Sequence, residues 1–139
     1  MAAGGFILDP RLAAESIALG DLELCHLLLF DDRRFPWLIL VPRRPDLIEI
    51  HDLAAKDRAL LVEEIAAATT AIKAATQCDK VNVAALGNQV RQLHVHVIAR
   101  FEADAAWPNP VWGRGARVPY EEAARESLIK KLRVGFNFV

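Results

Sequence analysis

Two of the chain's four histidines, His94 and His96, stand one residue apart within Gln92-Leu93-His94-Val95-His96-Val97-Ile98-Ala99-Arg100. Apolar and polar residues alternate there at the two-residue period of a β-strand, so the stretch reads as one strand. Leu93, Val95 and Val97 then face a core, while Gln92, His94 and His96 share the opposite surface, displayed rather than buried. Two imidazoles side by side on a rigid element suit two kinds of chemistry. They can give two neutral nitrogen ligands to a metal, which needs at least one more His, Cys or carboxylate. Alternatively, one neutral imidazole attacks an electrophile while its neighbours hold the developing charge. A partly exposed pair with no chemistry also fits the pattern.

The elements that must position this strand can be followed along the chain. Asp9 is an N-cap with Pro10 at the first helical position, predicting a short helix to about Ile17, after which Gly20 and Asp21 turn the chain. Leu22 to Phe30 reads as a strand interrupted by Glu23 and His26. Asp31-Asp32-Arg33-Arg34 is a polar connection to a second strand, Pro36 to Pro42, whose nearly continuous apolar run predicts burial on both faces. A long helix is expected from about Ala55 to Thr76, with Leu60, Leu61, Ile65, Ala68 and Ile72 on its packing face. Lys56, Arg58, Glu63, Glu64 and Lys73 form its solvated face. Asp79 to Leu86 reads as a further strand, joined to the histidine strand through Gly87 and Asn88. Trp107-Pro108-Asn109-Pro110-Val111-Trp112 fits neither a regular helix nor a central strand and is expected to be a structured loop. A C-terminal helix follows from about Tyr120 to Leu132. Strands with inserted helices make an α+β chain with an antiparallel sheet.

Composition narrows the function. A length of 139 residues suits one domain with a real core, and a formal net charge of −1 offers no bulk attraction for a nucleic acid polymer or an anionic membrane. The two cysteines, Cys25 and Cys78, fit reduced thiols of a cytoplasmic protein. Met1-Ala2-Ala3-Gly4-Gly5 lacks the basic and apolar segments of a signal peptide. No apolar stretch approaches the ~20 residues of a membrane span.

Gly87-Asn88-Gln89-Val90-Arg91-Gln92-Leu93-His94-Val95-His96-Val97-Ile98-Ala99-Arg100 resembles the signature of the histidine triad (HIT) family of nucleotide hydrolases and transferases. That signature is a Gly-Gln or Gly-Asn pair, a short apolar link, then three histidines alternating with apolar residues. Here the first triad position holds Gln92, His94 matches the middle histidine and His96 the third. The resemblance extends over roughly Leu22 to Arg100. It implies an α+β, HIT-like fold, with an antiparallel sheet of about five strands, one long helix and one C-terminal helix. Residues 1–139 would then be one domain with its core at about 22–100. It also implies a homodimer acting on a nucleotide small molecule. No cofactor of its own is required, and magnesium would arrive only with a polyphosphate substrate.

Roles follow from the same resemblance. His94 is the nucleophile, its tautomer selected by a hydrogen bond to the main-chain carbonyl at position 92, and it forms a nucleotidyl-histidine intermediate that water hydrolyses. His96, protonated, stabilises phosphoryl charge or gives a proton to the leaving group. Gln92 preserves the carbonyl but cannot carry a proton near neutral pH. Asn88 and Gly87 match residues that meet phosphate, although a plain turn explains them equally well. Asp31, or Asp32 beside it, falls near the residue that holds the ribose hydroxyls. Trp37 stands where the family usually has another histidine, as core or as a stacking surface. Trp107 and Trp112 either close over a base or pack the tail, and Arg100 either attracts phosphate or is a surface residue. His26 and His51 are not needed. Substrates would be dinucleoside polyphosphates such as diadenosine tetraphosphate, or nucleoside phosphoramidates. The alternatives are a nucleotide-binding module without turnover on the same fold and, behind it, a His-x-His metal protein.

Overall fold

The computed structural model describes residues 5–139, so the reading of Met1–Gly4 lies outside the described residues. Five segments, β1 (Ser16–Asp21), β2 (Cys25–Phe30), β3 (Trp37–Pro42), β4 (Lys80–Ala84) and β5 (Val95–Arg100), join in one antiparallel sheet in the order β1-β2-β3-β5-β4. Three helices accompany it, α1 (Pro10–Ala14), α2 (Ala55–Thr76) and α3 (Glu122–Arg133), with one 3-10 turn at Ile50–Asp52. This is the α+β arrangement that the sequence predicts. Among the described residues no helix is long and apolar enough to cross a membrane.

The sheet separates two cores. Leu27, Leu29, Leu38, Leu40, Val95 and Val97 point to one face, where they meet Leu61, Ala68 and Ile72 of α2 and Leu132 of α3. Leu28, Ile39, Val41 and Ile98 point to the other, packing with Phe35, Leu12 of α1 and the loop residues Ala106 and Val111. Every residue of β3 and of β5 is buried. An apolar run without alternation is what a strand covered on both faces requires. The histidine strand therefore occupies an interior position with β3 on one side and β4 on the other.

Two elements differ from the sequence expectation. The first helix stops at Ala14 instead of about Ile17, and Ser16–Asp21 forms an edge strand rather than a helix end and a turn. It pairs with β2 from Ser16↔Phe30 to Asp21↔His26, with a register shift between Ala18 and Gly20. Ser, Ala and Gly carry little strand preference, so this strand exists because β2 has backbone groups to satisfy. Its partner starts at Cys25, because Leu22 N–H bonds Cys25 O at 2.8 Å and closes the hairpin.

The long helix has the predicted bounds and ends at Gln77, in the left-handed region (φ 56°), whose N–H returns to Lys73 O. Glu64, expected on its solvated face, is buried. Its carboxylate accepts from Leu24 N–H and Cys25 N–H, both at 2.8 Å, and so ties the middle of α2 to the β1–β2 hairpin. Burial, then the neighbouring Glu64 charge, raises the pKa of the Cys25 thiol, which leaves the thiol protonated and unreactive. Replacing Glu64 by Ala strands two buried donors. Glu64→Ala should lower stability by about 2–4 kcal/mol, read as a reduced urea midpoint with little change in slope.

Candidate active site

The site grows from cross-strand register. Ile39 of β3 lies opposite His96 of β5, and Trp37 lies opposite Ile98. Trp37 and His96 are thus diagonal neighbours on one face, within the reach of long side chains. The Trp37 indole Nε1–H donates to His96 Nδ1 at 2.9 Å. An indole N–H can only donate, so His96 Nδ1 is the acceptor and the neutral ring carries its proton on Nε2. Burial, followed by the neighbouring His94, pulls the His96 pKa down to about 3. The expectation of a protonated His96 is therefore corrected. It is a neutral Nε2–H donor.

His94 has the opposite tautomer. Its Nδ1 lies 2.7 Å from Gln92 O, and because a carbonyl only accepts, Nδ1 carries the proton and Nε2 keeps its lone pair. The two imidazoles are edge to face, with centroids 4.8 Å apart. One presents a nucleophilic nitrogen and the other an N–H. Neither is displayed at the surface as the alternating pattern suggests: His94 is 6% and His96 7% exposed. Trp112, from the loop after β5, stands edge-on to both His96 (5.2 Å) and Trp37 (5.6 Å). The regular strand begins at Val95, after Leu93 N–H has anchored to Leu47 O at 3.0 Å.

A hollow of about 340 Å³ meets both histidines and a second, of about 390 Å³, meets His96, each large enough for a small ligand. The first is lined by Gly87, Asn88, Gln89, His94, His96 and Trp112. Gly87 takes φ +76°, a backbone that other residues adopt at a cost, and so turns the chain back toward the histidines. The second hollow runs past His96 and Trp112 to Arg11, Ser16 and Phe30. Ser16 Oγ is buried without a hydrogen-bond partner, a donor available to a ligand. Arg11 Nη1 donates to Gln89 O at 2.9 Å and links α1 to the loop before the histidines. Neither Arg11 nor Ser16 is prominent in the sequence, because their place depends on how α1 and β1 return to the sheet.

The other candidates are placed as follows. Both polar atoms of the Gln92 amide are engaged by the N-terminal segment: Oε1 accepts from Asp9 N–H and Nε2 donates to Ile7 O, each at 2.8 Å. Asp31 follows the last residue of β2 and lines neither hollow. Its N–H bonds Glu15 O, its Oδ1 accepts from Tyr120 N–H at 3.0 Å, and its Oδ2 lies 3.6 Å from Arg117. Asp32 is buried and bonded to Arg34 and Val118 N–H. Arg100 is neither a surface residue nor a phosphate contact. It is 2% exposed, bonded to Asp104 at 2.8 Å and to Asn82 and Asn109 O, with its guanidinium over Phe35 and Trp107. Trp107 thus packs on Arg100, and Trp112 is the tryptophan at the histidines. His26 pairs with Asp21, away from the site. His51, largely exposed, lines a separate hollow of about 220 Å³ on the Gln92–His94 side. Among the described residues no three His, Cys, Asp or Glu side chains converge to hold a metal.

The chain and its fold are similar to those of known proteins. The sequence matches the HIT domain over residues 11–103. The chain belongs to the HIT family. The fold is similar to that of a histidine triad protein from Bradyrhizobium japonicum, with 46% identity, TM-score 0.93 and coverage of 94% of this chain and 98% of that one. A histidine triad protein from Sinorhizobium meliloti is 46% identical, with TM-score 0.92 over 94% of this chain and 97% of its own. One from Marinobacter aquaeolei is 44% identical, with TM-score 0.92 over 95% and 96%. No curated protein sequence matches the chain significantly.

The depressed His96 pKa has a stability consequence. The unfolded chain binds a proton at this histidine near pH 6.5, while the folded protein does not until about pH 3. The stability contributed by neutral His96 is complete above about pH 6.5 and is lost as pH falls through that window. His96→Gln should flatten this part of the stability–pH curve by a few kcal/mol relative to wild type, measured as urea midpoints at stepped pH.

Proposed function

We propose that the protein is a nucleotide hydrolase or transferase that cleaves a nucleoside phosphate derivative through a covalent intermediate on His94. The observation that carries this reading is the 2.7 Å contact between His94 Nδ1 and Gln92 O. It fixes the proton on the far nitrogen and leaves Nε2 as a lone pair inside a hollow of ligand size. Attack of Nε2 on phosphorus forms a P–N bond as the bond to the leaving group breaks. The positive charge gained by the ring is met by the Gln92 carbonyl through the retained Nδ1–H. Water then attacks phosphorus, the P–N bond breaks, and its electron pair returns to Nε2.

In this reading Gln92 occupies the first triad position and contributes its carbonyl, while its side chain anchors the N-terminal segment. The Asn88 amide and the backbone at Gly87 face the phosphate, with the His96 Nε2–H as a further neutral donor. Trp112 and Phe30 offer faces to a base, and Asp31, next to Phe30 in the chain, is the carboxylate offered to ribose. The substrates are dinucleoside polyphosphates such as diadenosine tetraphosphate, or nucleoside phosphoramidates. The active form is a homodimer, which sedimentation would show. Magnesium enters on a polyphosphate substrate, held by its phosphates.

A second reading, a nucleotide-binding module without turnover, is favoured by Gln92 and Trp37, two side chains that carry no titrating proton. Turnover of a panel of dinucleoside polyphosphates and adenosine phosphoramidate by wild type and His94→Ala separates the two. Release of nucleoside monophosphate by wild type, reduced at least ~10³-fold in His94→Ala, is expected. Equal activity in both proteins would refute the assignment of His94. Nucleotide bound without product by either would establish the binding module.

A further inference from the structure

The two substrate classes of the nucleotidyl-transfer reading differ in what leaves phosphorus. A phosphoanhydride releases a phosphate, which departs as a stable anion with the electron pair of the broken P–O bond. A phosphoramidate releases an amine, and its nitrogen must receive a proton as the P–N bond breaks, because an amide anion is not a viable product in water. The second class therefore needs a general acid beside the leaving group. The first does not.

His96 is the imidazole next to the nucleophile, and its surroundings decide whether it can be that acid. An imidazole gives up a proton easily only from the doubly protonated form. Forming it here requires a proton on Nδ1, where the Trp37 indole N–H already points from 2.9 Å. Two N–H groups would then face each other in a buried site. The neighbouring elements bring groups of both signs, and the nearest of them oppose a second proton on the ring. From β5 comes His94, at 4.8 Å between centroids, which becomes cationic when it carries a phosphoryl group. From the loop comes Trp112, which is neutral. From the α1–β1 side come Arg11, a cation, and Glu15, which is half-exposed and 3.8 Å from Arg117. Among the described residues no carboxylate is bonded to His96.

We propose that Trp37 is a specificity-determining positioning residue, which holds His96 as a neutral Nε2–H donor and thereby selects nucleoside phosphoanhydrides over phosphoramidates. This rests on the nucleotidyl-transfer reading. In the selected reaction His94 Nε2 bonds to the nucleotidyl phosphorus and the P–O bond to the distal phosphate breaks. The electron pair leaves on that oxygen, and His96 Nε2–H stabilises a phosphoryl oxygen without transferring its proton. Water releases nucleoside monophosphate, and its surplus proton passes to solvent.

The test compares kcat/KM for a dinucleoside polyphosphate and for adenosine phosphoramidate in wild type and Trp37→Phe, which keeps an aromatic ring and removes the N–H. Wild type should prefer the anhydride by at least ~100-fold, the low end of what a general acid supplies. Trp37→Phe should narrow that preference at least ~10-fold, and its phosphoramidate profile should gain an acidic limb. Nitrogen NMR of the wild type provides a reading that needs no variant: His96 should be the neutral Nε2–H tautomer at about pH 5, below the usual histidine range. Comparable wild-type rates on the two substrates would overturn the proposal and point to another acid such as His51. So would an unchanged ratio in folded Trp37→Phe, or a His96 that protonates near pH 6.5. If wild type turns over neither substrate, the nucleotidyl-transfer reading falls and the selectivity with it, while the NMR still decides whether Trp37 holds the tautomer.

Discussion

Across the β3–β5 ladder Ile39 faces His96 and Leu40 faces Val95, and a slip of one residue would turn every side chain of either strand to the opposite face. Both faces are covered, so the register is held by the fit of particular side chains in two cores of different shape. Leu38 and Val97 enter the core under α2, while Ile39 and Ile98 enter the smaller core under α1 and the loop after β5. Once it is set, Trp37 must lie diagonal to His96, and the indole has a single acceptor within reach. The tautomer of a buried imidazole thus follows from hydrophobic patterning spread over two strands. A local polar arrangement alone would leave the ring free to choose either nitrogen.

The cover over this pair depends on a second buried arrangement. Arg100, the last residue of β5, is ion-paired with Asp104 and also donates to Asn82 of β4 and to Asn109 O in the loop. Burial alone would raise the Asp104 carboxyl. The Arg100 guanidinium and the N–H groups of Phe101, Ala106 and Trp107 outweigh burial and hold it down to about 2. A buried pair of this kind adds little net stability over an apolar equivalent, but breaking it leaves an uncompensated charge, which favours the loop conformation that keeps the pair. That conformation brings Trp112 against His96. Asp31 and Asp32 fasten the far end of the same segment through Tyr120 and Val118. The two aspartates beside the hairpin are therefore part of what closes the site.

Much of the fold was legible in the sequence because its signals are local. The spacing of Leu61, Ala68 and Ile72 gave α2 its bounds, and the apolar run from Trp37 to Val41 gave a strand covered on both faces. What was not legible depends on partners distant in the chain. Ser16–Asp21 becomes a strand through β2, Glu64 leaves the solvated face of its helix for two hairpin N–H groups, and Arg100 is drawn inside by Asp104 and Asn82. In the site, the spacing of His94 and His96 was readable from the alternation, and the carbonyl at position 92 from the resemblance to the HIT signature. Their burial was not, because it comes from Trp112 and from the loop containing Asn88, whose paths have no period. The contact of Trp37 with His96 joins residues 59 positions apart. No pattern within either segment announces it.

The same distance between sequence and contact distinguishes positions 92 and 37, which meet the two imidazoles in different ways. A side chain at position 92 is not needed to orient His94, because the orienting group is the backbone carbonyl, which every residue supplies. The Gln92 amide is then free for another task, and its two bonds to the 7–9 segment hold α1 where Arg11 and Leu12 close one wall of the larger hollow. Position 37 differs, since its indole acts directly on a ring nitrogen in the site. At position 92 the backbone sets the tautomer of His94, while at position 37 the side chain sets that of His96. The physical difference between the positions is whether backbone or side chain meets the imidazole.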